Sequence, residues 1–470
     1  MDHIPIRQLL APYTPWWGPS DAWRRDLPTF ERPIVAQLLE DLAVLPHIVS
    51  VTGPRRVGKS TALRQVIARL ISDGVDPHRI VYFSFDDPAL FVDVERQRRV
   101  FDELVETFGG SRASPTYFFL DEIQRLPAWE LFLKKAYDTK VAARFVVSGS
   151  ASSPIFRKSH ESLLGRIQDR HLLPFSFREY ALLQLRESEP EFGSVLQQLP
   201  TLRDSLLAGD APAALEAALA VEAALAPFNE SLSRIVRDFC VEGGFPEVWA
   251  LTDPVRKIEY LMEQQVRKVL FEDLSQIAEY RKPENVLRLF LYLLANPGVE
   301  LNVAKVSNDA ELPRRVIDEN LPRLELTDLI VRVHKFRAQP LRVRASNIKC
   351  YPTDLSLRNA VLKTWGPPDD QAMGYYAEGL VLRTLLEWRE LLSLSYYRDG
   401  GHEVDFIVTH GGDRHLPLEV KQRNKVEVGE SLRIFMRRHR ASLGVVVTRS
   451  RSVQADDILR IPLRYFLLAA

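Results

Sequence analysis

Through the first 180 residues, short apolar runs alternate with stretches of helical period. Apolar positions recur at helical spacing from Arg32 to Leu45, and Ile48-Val49-Ser50-Val51-Thr52 is short and apolar enough for a strand buried on both faces. Helical spacing returns from Thr61 to Ile71, and further strand-like runs stand at Ile80 to Phe85, Tyr117 to Leu120 and Arg144 to Val147. Strands that alternate with helices predict a parallel sheet covered on both sides. The residues ahead of this pattern, with Pro12, Pro15, Trp16, Trp17, Pro19, Trp23 and Pro28, obey neither period and read as an arm that packs on something else.

After Tyr180 the pattern turns helical, including an alanine-rich stretch from Ala211 to Ala226. From Glu284 to Val333 the order is helix, helix, turn, helix, strand, with Leu312-Pro313 opening the last helix and Val316, Leu321 and Leu324 directed to a core. This succession suits a winged helix-turn-helix. Beyond Tyr351 a helix at Tyr375 to Arg389 and strands at Leu394 to Tyr397, Glu403 to Val408, Leu416 to Val420 and Gly444 to Thr448 predict a second α/β unit. At about 150 residues per domain, the length implies roughly three compact units.

Charge and cysteine narrow the setting. Lysine plus arginine and aspartate plus glutamate number 62 each, so a nucleic-acid partner must be held by a local patch rather than by global basicity. Two cysteines, Cys240 and Cys350, are too few for a disulfide framework and suit a reducing cytoplasm. Neither a signal peptide nor a membrane span is expected.

The chemistry is most legible in Gly53-Pro54-Arg55-Arg56-Val57-Gly58-Lys59-Ser60, between an apolar strand and a helix that takes in Thr61. A loop closing on a helix N-terminus turns backbone N–H donors onto phosphates, with lysine on the β- and γ-oxygens and serine on Mg²⁺. The strand Tyr117-Phe118-Phe119-Leu120 delivers Asp121, expected on the Mg²⁺ shell, and Glu122, expected to polarise the attacking water. Ser148, at the end of a third strand, is either a sensor of the γ-phosphate or a turn-forming serine. Together these residues predict ATP binding and hydrolysis.

With Leu120-Asp121-Glu122-Ile123-Gln124, Ser148-Gly149-Ser150, Leu163-Leu164-Gly165-Arg166 and Leu173-Pro174-Phe175-Ser176-Phe177-Arg178-Glu179-Tyr180, the chain resembles the prokaryotic AAA-fold ATPases that carry a C-terminal domain of unknown function. The resemblance implies a P-loop fold with an additional strand. It also implies Arg166 as an arginine finger on its own or a neighbouring subunit's nucleotide, the second of which would require a homo-oligomer or ring. Gly244-Phe245-Pro246 is similar to the Gly-x-Pro element by which signal-transducing P-loop ATPases hold adenine from a lid, which would make Pro246 a nucleotide contact.

In the last third, Glu419 and Lys421 share a strand face by alternation, with Asp405 on the preceding strand and Glu378 on the helix before it. Asp405 and Glu419 would hold Mg²⁺ or Mn²⁺, and Lys421 would stabilise developing charge. The series resembles the PD-(D/E)xK nuclease fold of restriction enzymes, whose members also include inert DNA-binding modules. The implied architecture is an α/β chain with an arm at 1–30, an AAA-type P-loop ATPase core at 31–180, a helical lid at 181–275, a winged helix at 276–350 and a restriction-endonuclease-like domain at 351–470.

Two basic clusters adjoin these folds. Arg332, Lys335, Arg337, Arg342, Arg344 and Lys349 form the first, and positions 421, 423, 425, 433, 437, 438, 440, 449 and 451 the second, against Glu427 and Glu430. They suit phosphate contacts with duplex or branched DNA. The resulting expectation is an ATP-hydrolysing DNA-binding protein with a nucleotide-regulated nuclease-like domain. Its rivals are a DNA translocase with a silent nuclease fold and a nucleotide switch that binds a protein partner.

Overall fold

The computed structural model describes residues 5–44, 48–90, 94–111, 114–150, 163–199, 201–273, 283–337, 348–369, 372–388, 391–422, 429–449 and 451–469. The chain divides into two compact units, 1–173 with 272–279, and 174–271 with 280–470.

The first unit is built on strands β1 (Ile48–Gly53), β2 (Ile80–Ser84), β3 (Thr116–Asp121), β4 (Ala143–Ser150) and β5 (Ile167–His171), in the order β2-β3-β4-β1-β5. Neighbours are parallel throughout, in registers such as Val51↔Ser148, Ser84↔Asp121 and Ile48↔Ile167. Four of the strands are nearly continuous buried runs, as a parallel sheet with helices on both faces requires. The fifth, Ile-Gln-Asp-Arg-His, is half-exposed at the sheet edge, and its polarity hides it from a hydrophobicity pattern. Arg170 of that strand is held by a two-bonded ion pair with Asp41 at 2.6 and 2.7 Å.

The arm packs on this same unit. The indole N–H of Trp16 donates to the Ile80 carbonyl at 3.0 Å, that of Trp17 to the Pro77 carbonyl at 2.9 Å, and the Tyr13 hydroxyl to Asp87 at 2.7 Å. It therefore seals the outer strand β2.

The second unit carries an eight-stranded mixed sheet of β6 (Ile330–Lys335), β7 (Ile348–Pro352), β8 (Leu391–Asp399), β9 (His402–His410), β10 (Arg414–Lys421), β11 (Gly444–Thr448), β12 (Val453–Ala455) and β13 (Ile458–Pro462), ordered β12-β13-β11-β10-β9-β8-β6-β7. Helices Pro283–Ala295, Val303–Asp309 and Arg314–Leu326 precede β6, which is the expected order. Leu321 and Leu324 are buried with Ile317, while Val316 is only half-buried. The β6–β7 hairpin is continuous with the C-terminal strands of the sheet: β6 pairs with β8 through His334↔Ser395 and Lys335↔Tyr396, and a division at residue 350 falls inside β7.

Helix Ala372–Leu385 packs Ala377, Leu380 and Val381 into a core with Phe406, Val408, Leu416 and Leu418. Among the described residues one helical stretch, Ala211–Glu242, is long and apolar enough to cross a membrane, with mean hydropathy 1.4. It is interrupted by the 3₁₀ turn Ala226–Phe228, and Ala214, Val221, Leu225 and Leu232 belong to that same core. Both cysteines are buried thiols.

Candidate functional site

The phosphate loop leaves the C-terminal end of β1 and closes on helix Lys59–Ser72. Gly53 has φ +151°, and a Cβ there would come within 2.1 Å of the Leu172 carbonyl oxygen, so only glycine lets β1 end against the chain leaving β5. Gly58, with φ +95°, turns the loop into the helix. Arg32 braces it from outside, donating to the Val57 carbonyl at 2.9 Å and the Leu173 carbonyl at 3.0 Å. Lys59 is 6% exposed, and its ammonium donates to the Gly53 and Pro54 carbonyls at 3.0 and 2.7 Å. Arg55, Arg56 and Val57 complete the loop, and Thr61 comes next in the first helical turn.

Parallel pairing brings three strand ends to this loop. Asp121, 3% exposed at the end of β3, accepts from Ser60 Oγ at 2.6 Å and from the Tyr82 hydroxyl at 2.6 Å on Oδ2, and from Ser148 Oγ and the Glu122 N–H on Oδ1. Ser60, Asp121 and Ser148 thus meet at one carboxylate. Hydroxyl and carboxylate oxygens are the hard donors that Mg²⁺ prefers, so Ser60 and Asp121 fit that ion, which when bound would neutralise phosphate charge. Glu122 sits in the left-handed region at φ 50° and is held by the Gln124 side-chain amide. Burial pushes its carboxyl above the usual range, against the opposing pull of Lys59.

Tyr82 carries no motif. It reads as one more apolar strand position, and only the pairing of β2 with β3 brings its hydroxyl to Asp121. Burial, and after it the neighbouring Asp121, raises that phenol, so it remains a donor. Tyr82→Phe is expected to cost about 1 kcal/mol by denaturation and to lower turnover less than about tenfold, since one of several donors to the carboxylate is lost.

Arg166 is not brought to the loop of its own chain. Its carbonyl accepts from the Ile48 N–H at 2.9 Å at the opening of β1, about 16 Å of strand from the loop. Its guanidinium pairs with Asp138 at 2.9 Å. Pro246 lies in the second unit, opening helix Pro246–Trp249. The glycines before it have a packing cause: a Cβ on Gly243 (φ +65°) would meet Asp354 Oδ1 at 2.0 Å, and one on Gly244 the Phe175 carbonyl at 2.3 Å.

The second unit also gathers the C-terminal residues. Lys421 Nζ lies 2.5 Å from Glu419 Oε2, and Asp405 accepts from the Val420 N–H at 2.8 Å. Glu378 accepts from the Tyr351 hydroxyl at 2.5 Å. Burial, then Glu378, pushes the Asp405 carboxyl up to about 7, against the pull of Lys349. Among the described residues, however, no three His, Cys, Asp or Glu are disposed to hold a metal ion.

Beside these carboxylates the Lys349 ammonium stands 2.7 Å from Glu403 and 3.7 Å from Glu378. Burial lowers that ammonium, but Glu378, Asp405 and Glu403 together outweigh it and hold it above its ordinary value. Its burial also corrects the basic hairpin. Lys349 is 3% exposed and Arg332 is paired with Glu325 at 2.5 Å, so neither is spare for phosphate. Arg342 and Arg344, like Arg423, Lys425 and Glu427, lie outside the described residues.

Residues 46–181 match the family profile of an AAA domain, while 233–366 and 373–466 match two profiles each described as a domain of unknown function (DUF8612 and DUF4143). An uncharacterized protein of Methanocaldococcus jannaschii is 27% identical over 439 residues, covering 90% of this chain and 85% of that one. One of Haemophilus influenzae is 21% identical over 369 residues, covering 76% and 78%. Among solved structures, the replication initiator DnaA bound to AMPPCP and single-stranded DNA has a TM-score of 0.26 at 13% identity, covering 66% of this chain and 92% of that one. AMPPCP-bound DnaA from Aquifex aeolicus scores 0.24 at 13% identity, covering 62% and 86%. Scores this low leave the structural weight on the strand order and the loop. Profile, strand order and phosphate loop agree that the first unit carries an AAA-type P-loop core.

Proposed function

We propose that this protein hydrolyses ATP and couples the cycle to work on duplex or branched DNA. The observation that carries the first half is the meeting of Ser60, Ser148 and Tyr82 on Asp121 beside the buried Lys59, with Glu122 one residue on. This is a hydrolytic set rather than a bare phosphate cradle. Support for DNA comes from helix Arg314–Leu326, which stands between two helices and a hairpin and leaves Arg314 and Arg315 79% and 87% exposed, in solvent-facing ion pairs with Asp318 and Glu319 that a phosphate could exchange. The exposed Arg437, Arg440, Arg449 and Arg451 add to it. Adenine contact by Pro246, and a role for Arg166 on a neighbouring subunit's nucleotide within an oligomer, belong to this proposal.

ATP turnover measured on single-stranded, duplex, forked and four-way DNA tests it. At least one form is expected to stimulate turnover and to bind with a steep salt dependence. If none does either, the DNA half falls while the ATPase stands, and a protein-binding switch takes its place. A second reading, strand cleavage by the C-terminal domain, is favoured by the convergence of Glu378, Asp405, Glu419 and Lys421. Cleavage that disappears in Lys421→Ala would uphold it.

A further inference from the structure

We infer that the ε-ammonium of Lys349 occupies the place among Glu378, Glu403 and Asp405 that a divalent cation would need, and so keeps this carboxylate cluster closed to Mg²⁺ and Mn²⁺. The inference rests on the nuclease-like reading of the second unit but concerns what fills its acidic centre, not whether strands are cut.

The geometry is that of a caged cation. Lys349 Nζ has Glu403 Oε1 at 2.7 Å, Glu378 Oε1 at 3.7 Å and the Tyr396 ring centroid at 5.2 Å, and the residue is 3% exposed. A buried amine with carboxylates this close keeps its charge, and an isolated charge at such depth is not tolerated without partners. The two lysines divide the acids between them, Lys349 taking Glu378 and Glu403 while Lys421 takes Glu419. The Tyr351 hydroxyl also donates to Glu378 and the Val420 N–H to Asp405. A divalent ion at the same point would stand a few ångströms from the ammonium and be repelled by it.

Nor is the lysine delivered by a loose segment. β7 is hydrogen-bonded along both edges: Lys349 pairs with Val333 of β6, while Gly298 N–H reaches the Cys350 carbonyl at 2.9 Å and Leu301 N–H the Ile348 carbonyl at 2.7 Å. Tyr351, two residues on and therefore on the same strand face, sends its hydroxyl to the same Glu378. Strand parity aims both side chains into the cluster.

The test is Mn²⁺ binding to the full chain without nucleotide, monitored by electron paramagnetic resonance of the unbound ion, with strand cleavage assayed separately. Wild type and Asp405→Asn are expected to bind equal Mn²⁺. Lys349→Met is expected to gain about one ion per chain and to lose it again when combined with Asp405→Asn. Wild-type binding that falls in Asp405→Asn overturns the inference, and this comparison stands even if Lys349→Met does not fold. A folded Lys349→Met that gains no ion overturns it as well. An ion gained without cleavage upholds the inference and sinks the cleavage reading, whereas wild-type cleavage lost in Asp405→Asn does the reverse.

Discussion

Glu122→Gln is expected to bind ATP as the wild type does and to turn it over about 10³-fold more slowly, the range that a positioned general base contributes. The substitution keeps the size and the hydrogen-bonding reach of the side chain but removes the charge that orients and polarises water. Binding should persist because the phosphate contacts belong to the loop and to Lys59, whose ammonium lies within 3.0 Å of the loop carbonyls. Lys59→Ala is the contrast, since it should weaken binding as well. Glu122 also holds a left-handed backbone at φ 50°, a conformation that costs a non-glycine residue roughly 1 kcal/mol and that recurs where geometry serves chemistry. Nucleotide affinity and single-turnover rate, measured together, separate the two roles. A Glu122→Gln enzyme with wild-type turnover would remove Glu122 from the reaction.

The largest expected loss of stability is at Asp354. This carboxylate is buried and accepts from the Gly244 N–H at 2.6 Å, the Ser356 N–H at 2.9 Å and the Ser356 hydroxyl at 2.5 Å. Burial raises its pKa, and the Ser356 and Gly244 donors oppose that rise. Asp354→Ala strands several donors in the interior, each worth about 1–3 kcal/mol, so a total of about 3 kcal/mol is expected after relaxation. Asp354→Asn, which keeps an oxygen acceptor, should lose less. With two compact units the unfolding curve is expected to have two components, of which only that of the second unit should move. An unchanged curve for Asp354→Ala would mean that the donors find other partners.

The contrast between what could and could not be read in advance is physical. Strands β1 to β4 announce themselves because burial on both faces forces unbroken apolar runs. The nucleotide residues are legible because loop and helix N-terminus are contiguous in sequence, so their chemistry is fixed by spacing. Tyr82 and Lys349 are not, because their function comes from strand pairing between distant segments. Lys349 looks like any member of a basic hairpin until its parity on β7 turns it inward. Arg166 shows the opposite case: its motif is local, but the parallel course of β5 places it at the far end of the strand from its own chain's loop. Gly244-Phe245-Pro246 suggests a nucleotide contact by analogy, while the glycines at 243 and 244 also have a local cause in the close approach of Asp354 and the Phe175 carbonyl.

The ladder that joins β6 to β8 has a mechanical consequence. Because His334 and Lys335 pair with Ser395 and Tyr396, the hairpin and the strands bearing the carboxylates form one elastic plate. A load on Lys335 would reach Glu403 as shear between strands, not as the swing of a hinged domain. Strain in such a plate is shared along hydrogen bonds, so a displacement of the hairpin and the spacing of the acids are coupled.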